Sequence, residues 1–149
     1  MSIYLGIDPG ANGAAAAVDD DGTVVSVCRF KNETDESIAS WVGEWGWLDD
    51  DALTCCVERV WSRPGQGVAS TFKFGLNYGF LLGCLTTSEI PYGLVLPAVW
   101  QKKMNCLTGG DKNVTKRAAK LFWPGRKITH ADADALLLAE YCRLLNTEI

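Results

Sequence analysis

Three carboxylates stand where the surrounding sequence disfavours a charge. Asp8 ends the apolar run Ile3-Tyr4-Leu5-Gly6-Ile7 and is followed at once by Pro9-Gly10. Glu58 is the single acid inside the apolar run from Leu53 to Val60. Asp134 lies among the alanines and leucines that open the last helical pattern. An ionised carboxylate in such surroundings is costly unless it is paired or bound to a metal. Three of them brought together repel one another and could not all stay charged, a conflict that divalent cations resolve. Hard oxygen donors, in a chain with a single histidine, favour Mg²⁺ or Mn²⁺ over zinc. Two such ions about 4 Å apart activate a water and stabilise a leaving oxygen, which is the chemistry of phosphodiester cleavage.

The start of the last helix offers the fourth group. Thr129-His130-Ala131-Asp132 reads as a capping-box variant, with Thr129 at the N-cap and Asp132 at N3. Asp134 follows Asp132 by two residues, roughly 200° around the helix at about 100° per residue. The two acids therefore do not share one face easily. His130 and Asp134 are four residues apart and do share one. His130 is the candidate catalytic partner of Asp134, with a plain helix-start histidine as the alternative. Asp132 stays a candidate metal ligand, with the cap as its competing task.

The elements that must position these groups follow from periodicity and punctuation. Residues 2–7, 13–18 and 23–30 read as three strands of an antiparallel meander, with Gly22 turning the second into the third. Asp19-Asp20-Asp21 is then a hairpin tip. Thr34 or Asp35 caps a helix through about Trp45, with Ile38, Trp41, Val42 and Trp45 at helical spacing. Asp49-Asp50-Asp51 forms a loop, and 53–60 is a buried strand. A loop over 62–67 leads to a long helix over 68–87. Gly75, Gly79 and Gly83 fall i, i+4, i+8 along one face of that helix. Each costs about 1 kcal/mol against alanine, so the stripe calls for a backbone packed close against it. A strand over 93–96, a helix from Pro97 to Met104, a helix over 112–122 stopped by Pro124-Gly125, and a helix over 129–145 complete the chain. The sum is a single α/β domain over 1–149, a mixed central sheet flanked by helices. Strands one and four can be neighbours in that sheet, and the last helix can lay its N-terminal end against both.

Composition narrows the setting. No apolar run approaches the ~20 residues of a membrane span, and no signal peptide opens the chain, so no membrane partner is expected. The six cysteines never fall as CxxC and read as reduced core thiols of a cytoplasmic protein. Cys55 and Cys56, adjacent in a strand, point to opposite faces. The net charge of −4 is unevenly spread. Residues 100–129 hold eight basic side chains against Asp111 alone, a net +7, so the remainder carries −11. A basic face on an acidic protein is the footprint of nucleic-acid binding, and a solvated helix face is the alternative reading.

Four motifs in order carry a family resemblance. Gly6-Ile7-Asp8-Pro9-Gly10, Val57-Glu58-Arg59-Val60-Trp61, Pro97-Ala98-Val99-Trp100-Gln101-Lys102 and Ala133-Asp134-Ala135-Leu136 resemble the RuvC family of Holliday junction resolvases. The segment from Pro64 to Gly75 and the stretch from His130 to Tyr141 look most like its phage-encoded branch. The resemblance covers essentially the whole chain. It implies an RNase H-like fold with a five-stranded mixed sheet, a homodimer, and nicking of four-way DNA junctions with two Mg²⁺ ions per site, Mn²⁺ substituting. It places the family's acids on Asp8, Glu58 and Asp134, and its junction-stacking aromatic on Trp61, for which a core tryptophan is the alternative. Its catalytic-side lysines fall on Lys102 and Lys112. DNA-binding positions implied along the same stretches are Arg63, Gln66, Ser70 and Lys73, with Lys103 and Lys116 in the basic segment. The Gly stripe resembles the family's dimer helix. One departure concerns the residue three before the last acid. Better-known cellular members have an acid or histidine there, and this chain has Ala131, so His130 or Asp132 must complete the set.

Other functions fit parts of the pattern. A looser nuclease of flaps and branched intermediates would use the same site. A DNA-binding module with a dead site is disfavoured by three intact acids. An actin-like ATPase shares the first motif, but it needs two such domains.

Overall fold

The computed structural model describes residues 1–148. The strands are β1 (Ile3–Asp8), β2 (Ala14–Asp19), β3 (Val24–Arg29), β4 (Leu53–Glu58) and β5 (Tyr92–Val95). The helices are α1 (Asp35–Trp45), α2 (Val68–Thr87), α3 (Pro97–Lys103), α4 (Lys112–Phe122) and α5 (His130–Thr147). The strands form one sheet in the order β3-β2-β1-β4-β5. β1–β2 and β2–β3 are antiparallel, whereas β1–β4 and β4–β5 are parallel. This is the expected mixed five-stranded sheet, with β1 and β4 adjacent.

Alternation along the strands sorts side chains onto two covered faces. Tyr4, Ala14, Ala16, Val18 and Cys56 pack with α5 on one face. Ile3, Leu5, Ile7, Ala15, Ala17, Cys55 and Val57 pack on the other with residues of α1 and α2, among them Ile38, Val42, Leu81 and Leu85. Cys55 and Cys56 therefore do face opposite ways. All six cysteines are buried and none is in a disulfide.

The α5 face is unusually close. A methyl on Gly6 would overlap the backbone of Ala135 and Ala139, so the helix lies directly on β1. Small residues on both sides allow this: Ala14 and Ala16 on β2, and Ala135 and Ala139 on α5, are fully buried. The turn after β1 is equally tight. Gly13 donates to the Gly10 carbonyl at 2.9 Å, and a side chain at Gly13 would run into the Asp8 carbonyl oxygen. At the far end of β2, Asp19 Oδ1 accepts the backbone N–H of Asp21 at 3.0 Å and of Thr23 at 2.9 Å. The acidic triplet is thus a hairpin tip, turned at Gly22 with φ +78°.

The departures from sequence expectation are at element ends. Asp50–Ala52 winds into a single 3₁₀ turn rather than an open loop, β4 stops at Glu58, and α5 runs on to Thr147. No helix among the described residues is long and apolar enough to cross a membrane.

Candidate active site

The acids meet because of strand parity and register. Tyr4 and Cys56 face α5, so Asp8 and Glu58, an even number of residues further on, face it too. Ile7 pairs with Val57 in the parallel register, so the two acids leave the sheet side by side at its carboxyl edge. Asp134 comes down on them from the second turn of α5.

Their mutual influence is legible in their protonation. Burial first, then the charge of Asp134, pushes the Asp8 carboxyl up to about 6; the Gly10 N–H and Lys112 pull the other way. Burial and then Asp8 push Glu58 up to about 7, with Asp134 adding to the rise and Trp100 and Arg63 opposing it. Burial raises Asp134 as well, against the Thr115 hydroxyl, Lys112 and His130. Asp134 Oδ1 is buried with no hydrogen-bond partner among the described residues.

Two of the three acids have defined anchors. Asp8 Oδ1 accepts the Gly10 N–H at 3.4 Å. Glu58 Oε2 accepts the indole N–H of Trp100 at 2.8 Å, and Trp100 is fully buried. The sequence places Trp100 within a motif and assigns it no role. Its signal is an indole on an otherwise small helix, needing a polar partner once buried. Thr115, buried at the Asp134 carboxylate, leaves no signal along the chain.

Lys112 is the lysine whose charge reaches Asp8 and Asp134. The structure does not bring Lys102 to them. It follows Trp100 by two residues, roughly 200° around α3 at about 100° per residue, and so points away from Glu58 into solvent. His130, the first residue of α5, is exposed and adds its influence to Asp134.

Asp132 is placed differently from the metal-ligand expectation. It is fully buried. Its Oδ1 accepts Arg29 Nε at 2.6 Å and its Oδ2 accepts Arg29 Nη2 at 2.8 Å. Oδ2 also accepts the Thr129 N–H at 3.3 Å, while the Thr129 hydroxyl accepts the Asp132 N–H at 3.3 Å. This is the capping box, closed over an ion pair. With both oxygens engaged on the side of the helix away from Asp134, Asp132 leaves the candidate ligand set.

The remaining residues lie around the rim. Trp61 is 55% exposed, which ends the core alternative. Arg63 and Gln66 close a turn, the Gln66 N–H donating to the Arg63 carbonyl at 3.1 Å and Arg63 N–H to Gln66 Oε1 at 3.2 Å. Ser70 and Lys73 are exposed on the first half of α2. Lys73 also lines a groove of about 320 Å³ with Asn12, Lys31 and Asn77, beside the Asp8 turn. Lys103 is paired with Glu148 at 2.6 Å, and Lys116 is half-buried on α4.

As donors, Asp8, Glu58 and Asp134 suit a hard divalent cation, and the orphaned Oδ1 of Asp134 is a ligand lacking a partner. Among the described residues, no three His, Cys, Asp or Glu side chains already converge as tightly as a ligated ion requires. Mutually repelling carboxylates do not close up on one another unaided.

A five-stranded mixed sheet of this order, with a helix laid on its central strand, defines the RNase H-like class of α/β folds. Solved structures match almost the whole chain, among them two of RuvC. One is a Thermus thermophilus RuvC structure, at 17% identity and TM-score 0.65, covering 98% of this chain and 96% of that one. The other is T. thermophilus RuvC in complex with a Holliday junction substrate, at 16% identity and TM-score 0.66 with the same coverage. The chain has the RuvC-like form of the fold. No family model matches the sequence, and no curated protein does.

Proposed function

We propose that this chain is a divalent-cation-dependent endonuclease that resolves four-way DNA junctions as a homodimer, and that it belongs with the phage-encoded branch of RuvC-like enzymes. The observation that carries the reading is the crowding of Asp8, Glu58 and Asp134, from three separate elements, onto one sheet edge. There Asp134 raises the proton affinity of Asp8, and Asp8 and Asp134 both raise that of Glu58. Such an arrangement is destabilising without cations and apt for binding them. The RuvC-like fold supports the same reading, as does the junction bound to the second Thermus structure.

Asp8, Glu58 and Asp134 would hold two Mg²⁺ ions, with Mn²⁺ substituting. Bound there, the ions would activate a water and stabilise the leaving oxygen of the phosphodiester. Trp100 keeps Glu58 in one orientation, leaving Oε1 for the site. Lys112 offsets the charge gathering on the phosphate. His130 accepts a proton of the attacking water at its exposed imidazole. Lys102, Lys103 and Lys116 serve phosphates further along the strands. Trp61 stacks on unpaired bases at the junction centre, flanked by Arg63, Gln66, Ser70 and Lys73. For the homodimer, α2 offers its exposed Val68, Phe72 and Leu76. Beside them, Gly75, Gly79 and Gly83 have no neighbour among the described residues within 4 Å of an added methyl.

The test is Mg²⁺ titrated into a labelled four-way junction with the wild-type chain and with Asp8→Asn. Paired nicks on opposed strands are expected from the wild type. Losing one ligand is expected to slow them about a thousandfold, since cation stabilisation supplies several kcal/mol. Cutting by Asp8→Asn at the wild-type rate sinks the reading. A preference for flaps over junctions narrows it to a general branched-DNA nuclease.

A further inference from the structure

Arg29 lies outside the basic segment, and its setting is unusual. Asp8 pairs with Ala14 across β1–β2, and Ala14 pairs with Arg29 across β2–β3. Asp8, Ala14 and Arg29 thus form a row across three adjacent strands. Ala14 belongs to the α5 face, and residues paired directly across a sheet share a face. Two strand spacings put Arg29 about 10 Å from Asp8. Ala14, the spacer, is small enough to admit the first turn of α5 between them. The far end of the row is closed by Asp132, which takes Nε and Nη2 of Arg29 in a fork. Even so, the Arg29 side chain is 48% exposed. Its Nη1 makes no hydrogen bond or ion pair among the described residues.

We propose that Arg29 is a DNA-binding residue: its Nη1 edge, held rigid by Asp132, takes a backbone phosphate adjacent to the one cut at Asp8. A buried carboxylate gripping two nitrogens fixes the guanidinium plane, so little freedom is lost when the third edge meets a phosphate. A strand laid across the row with its reacting phosphate at Asp8 brings a neighbouring phosphate over Arg29. A tie serving only to anchor α5 would not need half its cation in solvent. The inference rests on the nuclease reading and adds to it a contact from β3, outside the basic segment.

The test measures junction affinity by fluorescence anisotropy against salt, in an Asp8→Asn parent that does not cut. Arg29→Met is compared with Arg29→Lys and with Arg29→Met/Asp132→Leu, which removes the buried charge together with its partner and so keeps the fold within reach. Arg29→Met and the double variant are expected to bind about tenfold more weakly. The slope of log affinity against log salt is expected to shrink by about one. Arg29→Lys should keep the slope and lose part of the affinity. A double variant with parental affinity and slope overturns the proposal, whatever its melting temperature, and reduces the pair to a structural tie. So does a variant, made in the cutting enzyme, whose Mg²⁺ requirement rises while its DNA affinity stays put. A parent that binds no junction overturns the nuclease reading as well, and the parent arm alone reveals that case.

Discussion

The two faces of the sheet solve the same packing problem in opposite ways. On one face α5 lies so close to β1 that Gly6 has no room for a methyl, and ten of its residues are buried. On the other, α2 is longer, yet only Leu81, Cys84 and Leu85 are buried, all in its C-terminal half. Its Val68 and Phe72 are 89% and 67% exposed. The close face is where the acids are. A helix resting on glycine and alanine carries its own carboxylate to within reach of the strand carboxylates, whereas larger side chains between helix and sheet would hold it off. Among the described residues, α2 brings no carboxylate to the sheet. Its glycine stripe, expected to meet another backbone, meets none among the described residues, which is the basis for assigning it to a second copy.

The sharpest way to break this comparison is to fill the close contact. Gly6→Ala forces a methyl into the α5 backbone, and overpacking of this kind is expected to cost about 3 kcal/mol, read as a lowered thermal midpoint. A variant as stable as the wild type would show that α5 does not seat on β1 as described. The acids give a nearly equal effect through pH. The folded pKa of Asp8 is about 6 against 3.8 for the free group, and that of Glu58 about 7 against 4.5. Both are raised, so the folded state keeps protons that the unfolded chain releases. Stability contributed by these groups is full below about pH 4 and is lost as pH rises to about 7. For Asp8 alone the loss is about 3 kcal/mol. In chelator, the thermal midpoint should therefore fall across that window, Asp8→Asn should flatten the fall, and Mg²⁺ should reverse it at pH 8. A midpoint insensitive to both pH and Mg²⁺ would contradict the crowding.

Smaller effects sharpen the contrast. Trp100→Phe removes the donor to Glu58 while keeping most of the apolar volume. The Mg²⁺ concentration for half-maximal nicking is expected to rise about 10- to 100-fold, as for other groups that orient metal ligands. An unchanged Mg²⁺ curve would mean that Glu58 does not need its indole. On the open face, Gly79→Ala meets empty space. It is expected to stabilise the isolated helix by about 1 kcal/mol while weakening self-association seen by sedimentation. A variant that is both more stable and equally dimeric would remove α2 from the dimer contact.

Much of the fold and of the site is legible along the chain. The apolar runs over 2–7 and 53–60 locate the strands that carry Asp8 and Glu58. The Pro-Gly turn ends β1 on its acid, and the two-residue spacing in α5 is enough to separate Asp134 from Asp132. Those features depend on residues a few positions apart, for which helix and strand geometry fixes direction. What only the tertiary structure decided were the partners. Arg29 stands 103 residues from Asp132, and Trp100 stands 42 from Glu58. Lys112 rather than Lys102 came to the acids because of where α4 packs, not because of charge, which both share. Which partner a buried carboxylate finds is set by the seating of whole helices on the sheet, and local periodicity carries no record of that distance.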